Sequence, residues 1–250
     1  MIIQIQALIL IFMRIASFMV ICPGYSFKGI PNILKVAISG VVTIFIYMAL
    51  PEMPANVEIL EFAFLAIKET IFGISIGFVT LMIFSTIEMA GNLIDFQVGF
   101  SMGSVYDPAM GTQASNYGRT YYWIGIAIFF LLDMHQLVLE MVIRSYEFVP
   151  IGSANIIQFN PKAIVVIFAK VFELSINLAA PVIITVLITD VVLGLISRTV
   201  PQINVFMLGM PMKSMVSFLV LMVSISWVMN SVGSIIETIP KYIEGVMNLF

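Results

Sequence analysis

The sequence predicts an all-α membrane protein of about six long, partly bent helices. Three observations carry this. Of 250 residues, 61% are hydrophobic and 10% are charged, against about 45–50% and about 25% in ordinary soluble domains. The apolar residues gather in runs near the ~20 that a helix needs to cross a bilayer core. The strict alternation that marks the strands of a membrane barrel is absent. A mean hydropathy of +1.10 leaves more hydrocarbon than a water-soluble core of this size can hide.

The elements follow in order. The first helix is expected over residues 2–22, stopped by Pro23 and Gly24. It has no basic leader, carries Arg14 in mid-run and lacks a small-residue cleavage site, so it reads as a retained helix rather than a signal peptide. The second covers 33–50 and is closed by Pro51 and Pro54, which cannot continue a helix. The third runs over 58–89, longer than one crossing requires. The fourth lies over 117–143, the fifth over 163–196 and the sixth over 214–239.

Polar residues interrupt these runs. Arg14, Glu69, Glu88, Asp133, His135, Glu140, Lys170, Glu173 and Asp190 all fall within or against them. Charge at membrane depth is costly and faces protein or water rather than lipid. Arg14, Glu69, Lys170, Glu173 and Asp190 are therefore candidate buried charges, with Lys170 and Glu173 spaced i,i+3 to pair on one face. Basic residues give no orientation. With the N-terminus outside, Lys28, Lys35, Arg119, Arg198 and Lys213 lie inside, and Lys68, Arg144, Lys162 and Lys241 lie outside. The weak bias and the inward charges predict helices that bend or stand partly out of lipid. Gly73 and Gly77 form a GxxxG pair, which lets a second backbone approach closely and marks a helix-packing face.

Catalytic sets fail one by one. A single histidine and a single cysteine exclude HExxH, CxxC and any intrachain disulfide. Cys22 is expected to be a small buried hydrophobe. Asp133 and His135, spaced i,i+2, would point to different helix faces, a poor orienter–base geometry. The lone histidine is read as a hydrogen-bonded structural group. No Walker-type GxxxxGK[ST] occurs, and the glycines at 99, 103 and 111 make no GxGxxG. A net charge of −3 with no polybasic arm argues against nucleic acid. No enzyme, metal or cofactor is expected. A secondary solute or ion transporter remains the alternative, because Gly/Pro-broken segments recur at 99–111 and 197–213, although their flanks do not match.

One stretch stands apart: DFQVGFSMGSVYDPAMG, residues 95–111. It is long, Gly-rich and half apolar where a connector should be short and hydrophilic. Gly99, Gly103 and Gly111 permit backbone conformations closed to other residues. Phe100, Met102, Val105, Tyr106 and Met110 supply apolar bulk that can dewet a constriction, and methionine re-packs readily. Ser101 and Ser104 are small hydroxyl residues, and Asp107–Pro108 is a turn signal. On its residues alone the stretch is either a surface connector or a moving part.

Read in order, the motifs resemble one family. Arg14, Pro23 and Lys35 come first, then Glu69, Gly73, Gly77 and Phe78 as ExxxGxxxGF, then Ala90 and Gly91. DFQVGFS follows, then Asp107–Pro108, PIG at 150–152 and LAAP at 178–181. The series closes with DVVLGLISRTVPQINVFMLGMPMK at 190–213, whose PQxNxFxxGxPxK core is specific. The chain resembles the FliR family of the flagellar type III export gate, with injectisome relatives of the SpaR/YscT type.

That resemblance implies a single-copy subunit of a helical export gate in the bacterial inner membrane, at the flagellar basal body. Its partners would be FliP-type and FliQ-type subunits and FlhB-type and FlhA-type export proteins, and its cargo unfolded flagellar subunits. It implies a FliP-like part over 1–162 and a FliQ-like helical hairpin over 163–250, whose turn is bracketed by Arg198 and Lys213 and carries Pro201, Gln202 and Asn204. It implies a complex partly raised out of the bilayer, in keeping with charges on long helices. It also implies that a loop near 98–114 helps to close the channel.

Overall fold

The structure is a computed structural model that describes residues 2–27, 29–49, 58–100, 115–153, 161–200 and 205–248. Eight helices are found among them: α1 (Ile2–Ile21), α2 (Asn32–Ala49), α3 (Ile59–Val98), α4 (Asn116–Leu131), α5 (Met134–Phe148), α6 (Pro161–Thr199), α7 (Val205–Ile236) and α8 (Ile239–Met247). No strand occurs among the described residues. Among the described residues, five segments are long and apolar enough to cross a membrane, or six if α4 and α5 form one broken span. This is the expected all-α class with about six long helices.

Three boundaries differ from expectation, one of them the start of α7, which lies at Val205 rather than near 214 and leaves Pro211 inside the helix. The α3 helix runs on to Val98, so Asp95, Phe96 and Gln97 are helical rather than loop. It stops at Gly99, whose φ of +98° is open to glycine and costly for other residues. The backbone N–H groups of Gly99 and Phe100 both donate to the Asp95 carbonyl, at 3.1 and 3.0 Å, which closes the helix end. The expected fourth helix is interrupted at Leu132 and Asp133, where Asp133 adopts φ +54° without any glycine or proline nearby.

The chain packs as two units. The first comprises Met1–Ile83, Phe129–Phe168 and Glu237–Phe250. Within it α1 packs along α2, and α5 against α8. Ala7, Leu10, Ile11, Ile15 and Phe18 recur at helical spacing on the buried face of α1, and Arg14 lies on that same stripe. Its guanidinium is fully buried. Nε donates to Glu69 Oε2 at 2.6 Å, Nη1 to Ser145 Oγ at 3.0 Å and Nη2 to the Val149 carbonyl at 3.0 Å. The rings of Phe72 and Tyr146 stand 4.6 and 4.0 Å from its central carbon. Glu69 accepts a second bond from Gly152 N at 2.8 Å. One buried pair thus fastens α1, α3, α5 and the turn of the PIG motif. Gly73 and Gly77 lie where α1 passes α3, since a Cβ on Gly73 would overlap the Arg14 carbonyl and Ser17 Oγ, and one on Gly77 would press on Phe18 and Ile21. Nearby, the Tyr25 hydroxyl donates to the His135 carbonyl at 2.6 Å. Burial, with Cys22 beside it, pushes that phenol up to about 12. Cys22 itself is buried and unpaired with another cysteine.

The second unit comprises Phe84–Ile128 and Ala169–Ile236. The two units interleave along the chain, whereas the expected parts 1–162 and 163–250 are consecutive. They divide the molecule on different grounds, packing in one case and resemblance in the other.

Candidate functional site

The second unit holds the two stems of the stretch that the sequence singled out. One stem is the end of α3, the other the start of α4. Asp95, 2% exposed, links them. Its backbone carbonyl closes α3 as described, and its carboxylate reaches across to α4. The oxygens accept from Tyr117 N at 3.0 and 3.2 Å and from Gly118 N at 3.2 Å. These are two of the orphan donors of the α4 N-terminus. The positive end of the α4 dipole favours an anion at this place.

Ser115 completes the cap. Its Oγ accepts from Gly118 N at 2.9 Å and lies 2.6 Å from both Asp95 Oδ2 and Asn92 Oδ1. A hydroxyl has one proton, and the carboxylate is the stronger acceptor. The fit also needs small residues, because a Cβ on Gly91 would meet the backbone of Tyr117 and Gly118 at 2.5 Å. Gly118 has as little room, with Ser115 and Asn92 against it.

Further contacts tie the stems to α6 and α7. The Tyr117 ring is stacked between Phe100, centroids 6.2 Å apart, and Phe218, 5.3 Å apart. Its hydroxyl and Ser217 Oγ are 2.7 Å apart. On the other side, Gln97 Nε2 donates to Asp190 Oδ2 at 3.3 Å, and Lys213 Nζ pairs with Asp190 Oδ1 at 2.6 Å. The Asp190 carboxylate thus receives one donor from α3 and one from α7. The nearest heavy atoms that a Cβ on Gly99 would meet belong to Met210. This assembly binds, spaces and anchors chain segments. Among the described residues, no group of three or more His, Cys, Asp or Glu could hold a metal.

A model of bacterial export proteins, family 1, matches residues 5–239. The chain belongs to that family. Among export-protein relatives it is 29% identical to the flagellar biosynthetic protein FliR of Bacillus subtilis (strain 168), over 97% of this chain and 95% of the relative. It is 28% identical to the FliR of Aquifex aeolicus (strain VF5), over 97% and 94%. It is 32% identical to the Yop proteins translocation protein T of Yersinia pestis, over 72% and 70%. The motif series read from the sequence therefore belongs to this export family.

The sequence-predicted residues divide as follows. Gly99, Phe100, Asp190 and Lys213 come together in the second unit. Arg14 and Glu69 meet in the first, where Gly73 and Gly77 also lie. Lys170 and Glu173 do pair, at 2.6 Å, but their side chains are 41% and 57% exposed, which corrects their expected burial. Both are half-exposed on α6. Asp190 is half-buried rather than buried. His135 corrects its reading too: its Nδ1 is buried without a hydrogen-bond partner, and its backbone carbonyl does the bonding. Arg198 is exposed in the last turn of α6, where a cation suits the helix C-terminus. Ser101, Met102, Gly103, Ser104, Val105, Tyr106, Asp107, Pro108, Met110 and Gly111 lie outside the described residues, as do Pro201, Gln202 and Asn204.

Asp95, Ser115 and Tyr117 were not among the candidates. A signal existed: Ser115-x-x-Gly118 before an aromatic run is a helix start. Nothing local says that Asp95, twenty residues earlier, caps it.

Proposed function

We propose that the chain is a channel subunit of a flagellar type III protein export gate. It passes unfolded flagellar subunits across the bacterial inner membrane, and its task is transport rather than catalysis. The observation that carries this is the similarity to two flagellar FliR proteins over 97% of the chain and at least 94% of each relative. The shorter match to a translocation protein of Yersinia makes the flagellar form the better reading than the injectisome form.

In this reading one copy assembles with FliP-type and FliQ-type subunits at the flagellar basal body and works with FlhA-type and FlhB-type proteins. Residues 1–162 form its FliP-like part and 163–250 its FliQ-like hairpin. The apolar faces of α6 and α7 support a place in a larger helical assembly within the membrane: Val166, Val191, Met215, Met222 and Val223 are each more than 60% exposed in this chain. Residues 98–114 plug the channel. The plug is supported by its composition and by its stems, which converge on Asp95 and rest on the hairpin.

Co-expression with FliP-type and FliQ-type partners tests the assembly. Purification in a fixed ratio, with this chain in one copy, is expected. A stable monomer that moves a small solute by itself would instead establish the carrier alternative.

A further inference from the structure

The second unit exposes two kinds of surface. On α6 and α7 the open side chains are mostly apolar, with Val191, Met215, Met222 and Val223 each more than 60% exposed. The α3–α4 pair differs. These helices run antiparallel: Asn92 lies beside Ser115, Gly91 beside Tyr117 and Gly118, and the Phe84 ring beside that of Tyr122, centroids 6.0 Å apart. Ser85, Glu88 and Asn92 are exposed on α3, spaced i, i+3, i+7 along one face. Asn116, Arg119 and Thr120 are exposed in the first turns of α4, spaced i, i+3, i+4. The antiparallel pairing brings both sets to the same stretch of the helix pair, where Asn92 Oδ1 and Ser115 Oγ are 2.6 Å apart. Among the described residues, neither Glu88 nor Arg119 has an ion-pair partner. In a chain with only 10% charged residues, this is a concentration of open polar groups that hydrocarbon does not accept.

We propose that this polar band is part of the conduit wall: Ser85, Glu88, Asn92, Asn116, Arg119 and Thr120 face its water and touch the unfolded polypeptide that passes. The proposal rests on the channel-subunit reading above. The chemistry favours a wall over a docking face for another subunit. A docked subunit would take Glu88 and Arg119 out of water and would have to bring an opposite charge for each, whereas in a wet conduit both stay solvated. The two charges differ in sign, so the band neither holds nor repels a passing chain of one sign. Asparagine amides and hydroxyls offer donors and acceptors together, which suits them to peptide groups, the part that every unfolded chain presents. Each such bond only replaces one to water, so the contact is weak and the chain lets go.

Single cysteines test the assignment. In a chain with Cys22→Ala, cysteine replaces Ser85, Glu88, Asn92, Arg119 or Thr120 in turn, with Val191, Met222 and Val223 as apolar controls. Each variant is expressed with its partner subunits, with and without an export substrate arrested in transit by a domain too stably folded to pass. The cells are broken open, so that a small hydrophilic maleimide reaches both sides of the membrane. A thiol in water ionises and reacts, and one in apolar surroundings does not. We expect the band to react about tenfold faster than the controls, and arrested cargo to slow it by about tenfold.

Labelling that ignores the cargo would put the band in water outside the conduit and overturn the proposal. Positions that react in the chain alone but not in the complex would be covered by a neighbouring subunit, which also overturns it. Both results leave the channel reading intact, provided that the arrested substrate cross-links to the partner subunits. A substrate that engages neither this chain nor its partners would remove the channel reading and the proposal with it. If Glu88→Cys or Asn92→Cys fails to assemble, Ser85→Cys and Thr120→Cys carry the same test, since neither hydroxyl bonds across to another helix among the described residues.

Discussion

The Arg14–Glu69 pair of the first unit and the Asp190–Lys213 pair of the second close at the same 2.6 Å, yet their surroundings differ. Arg14 and Glu69 are 0% exposed, and each guanidinium nitrogen has its own acceptor. Asp190 and Lys213 keep 35% and 22% of their side-chain surface open. A fully enclosed pair is committed: neither ion has water to fall back on. A half-open pair can exchange partners at modest cost. The first unit is thereby a fastened frame, and the polar cluster that touches the loop stems in the second is one that can yield.

The largest effect tests the frame. Arg14→Ala should lower stability in detergent by about 3–5 kcal/mol, because Glu69 is left as an unpaired buried charge. The double change Arg14→Met with Glu69→Leu should recover most of that loss, read by thermal unfolding. A single substitution that melts like the unaltered chain would erase the contrast. Next, Asp190→Asn should cost about 1 kcal/mol, since its partner remains partly solvated. A loss as large as that of Arg14→Ala would mean that this pair is enclosed as well. Smallest is Glu140→Ala, which breaks the i,i+4 pair with Arg144 on the outward face of α5. Its side chains are 49% and 59% exposed, and a shift within about 0.5 kcal/mol is expected.

The long elements were legible because hydrocarbon runs and prolines announce them. The α1 and α2 boundaries fall within a residue of expectation for that reason. The end of α3 did not, because Asp95 and Gln97 look like loop residues until their partners are known. Those partners, Tyr117, Gly118 and Asp190, lie 22, 23 and 93 positions away. The break at Asp133 was equally hidden, being a left-handed residue with no glycine or proline to mark it. Arg14 was legible as a buried charge, since it stands on the apolar stripe of α1. Lys170 and Glu173 were not, because an apolar run does not say whether its outer face meets this chain, another subunit or lipid.

The central claim is that residues 98–114 seal a protein-conducting channel, and resting conductance tests it most directly. Complexes carrying the deletion of 103–111 should assemble in normal yield and pass ions where the unaltered complex is closed. A deleted complex that assembles and stays as tight as the unaltered one would contradict the account.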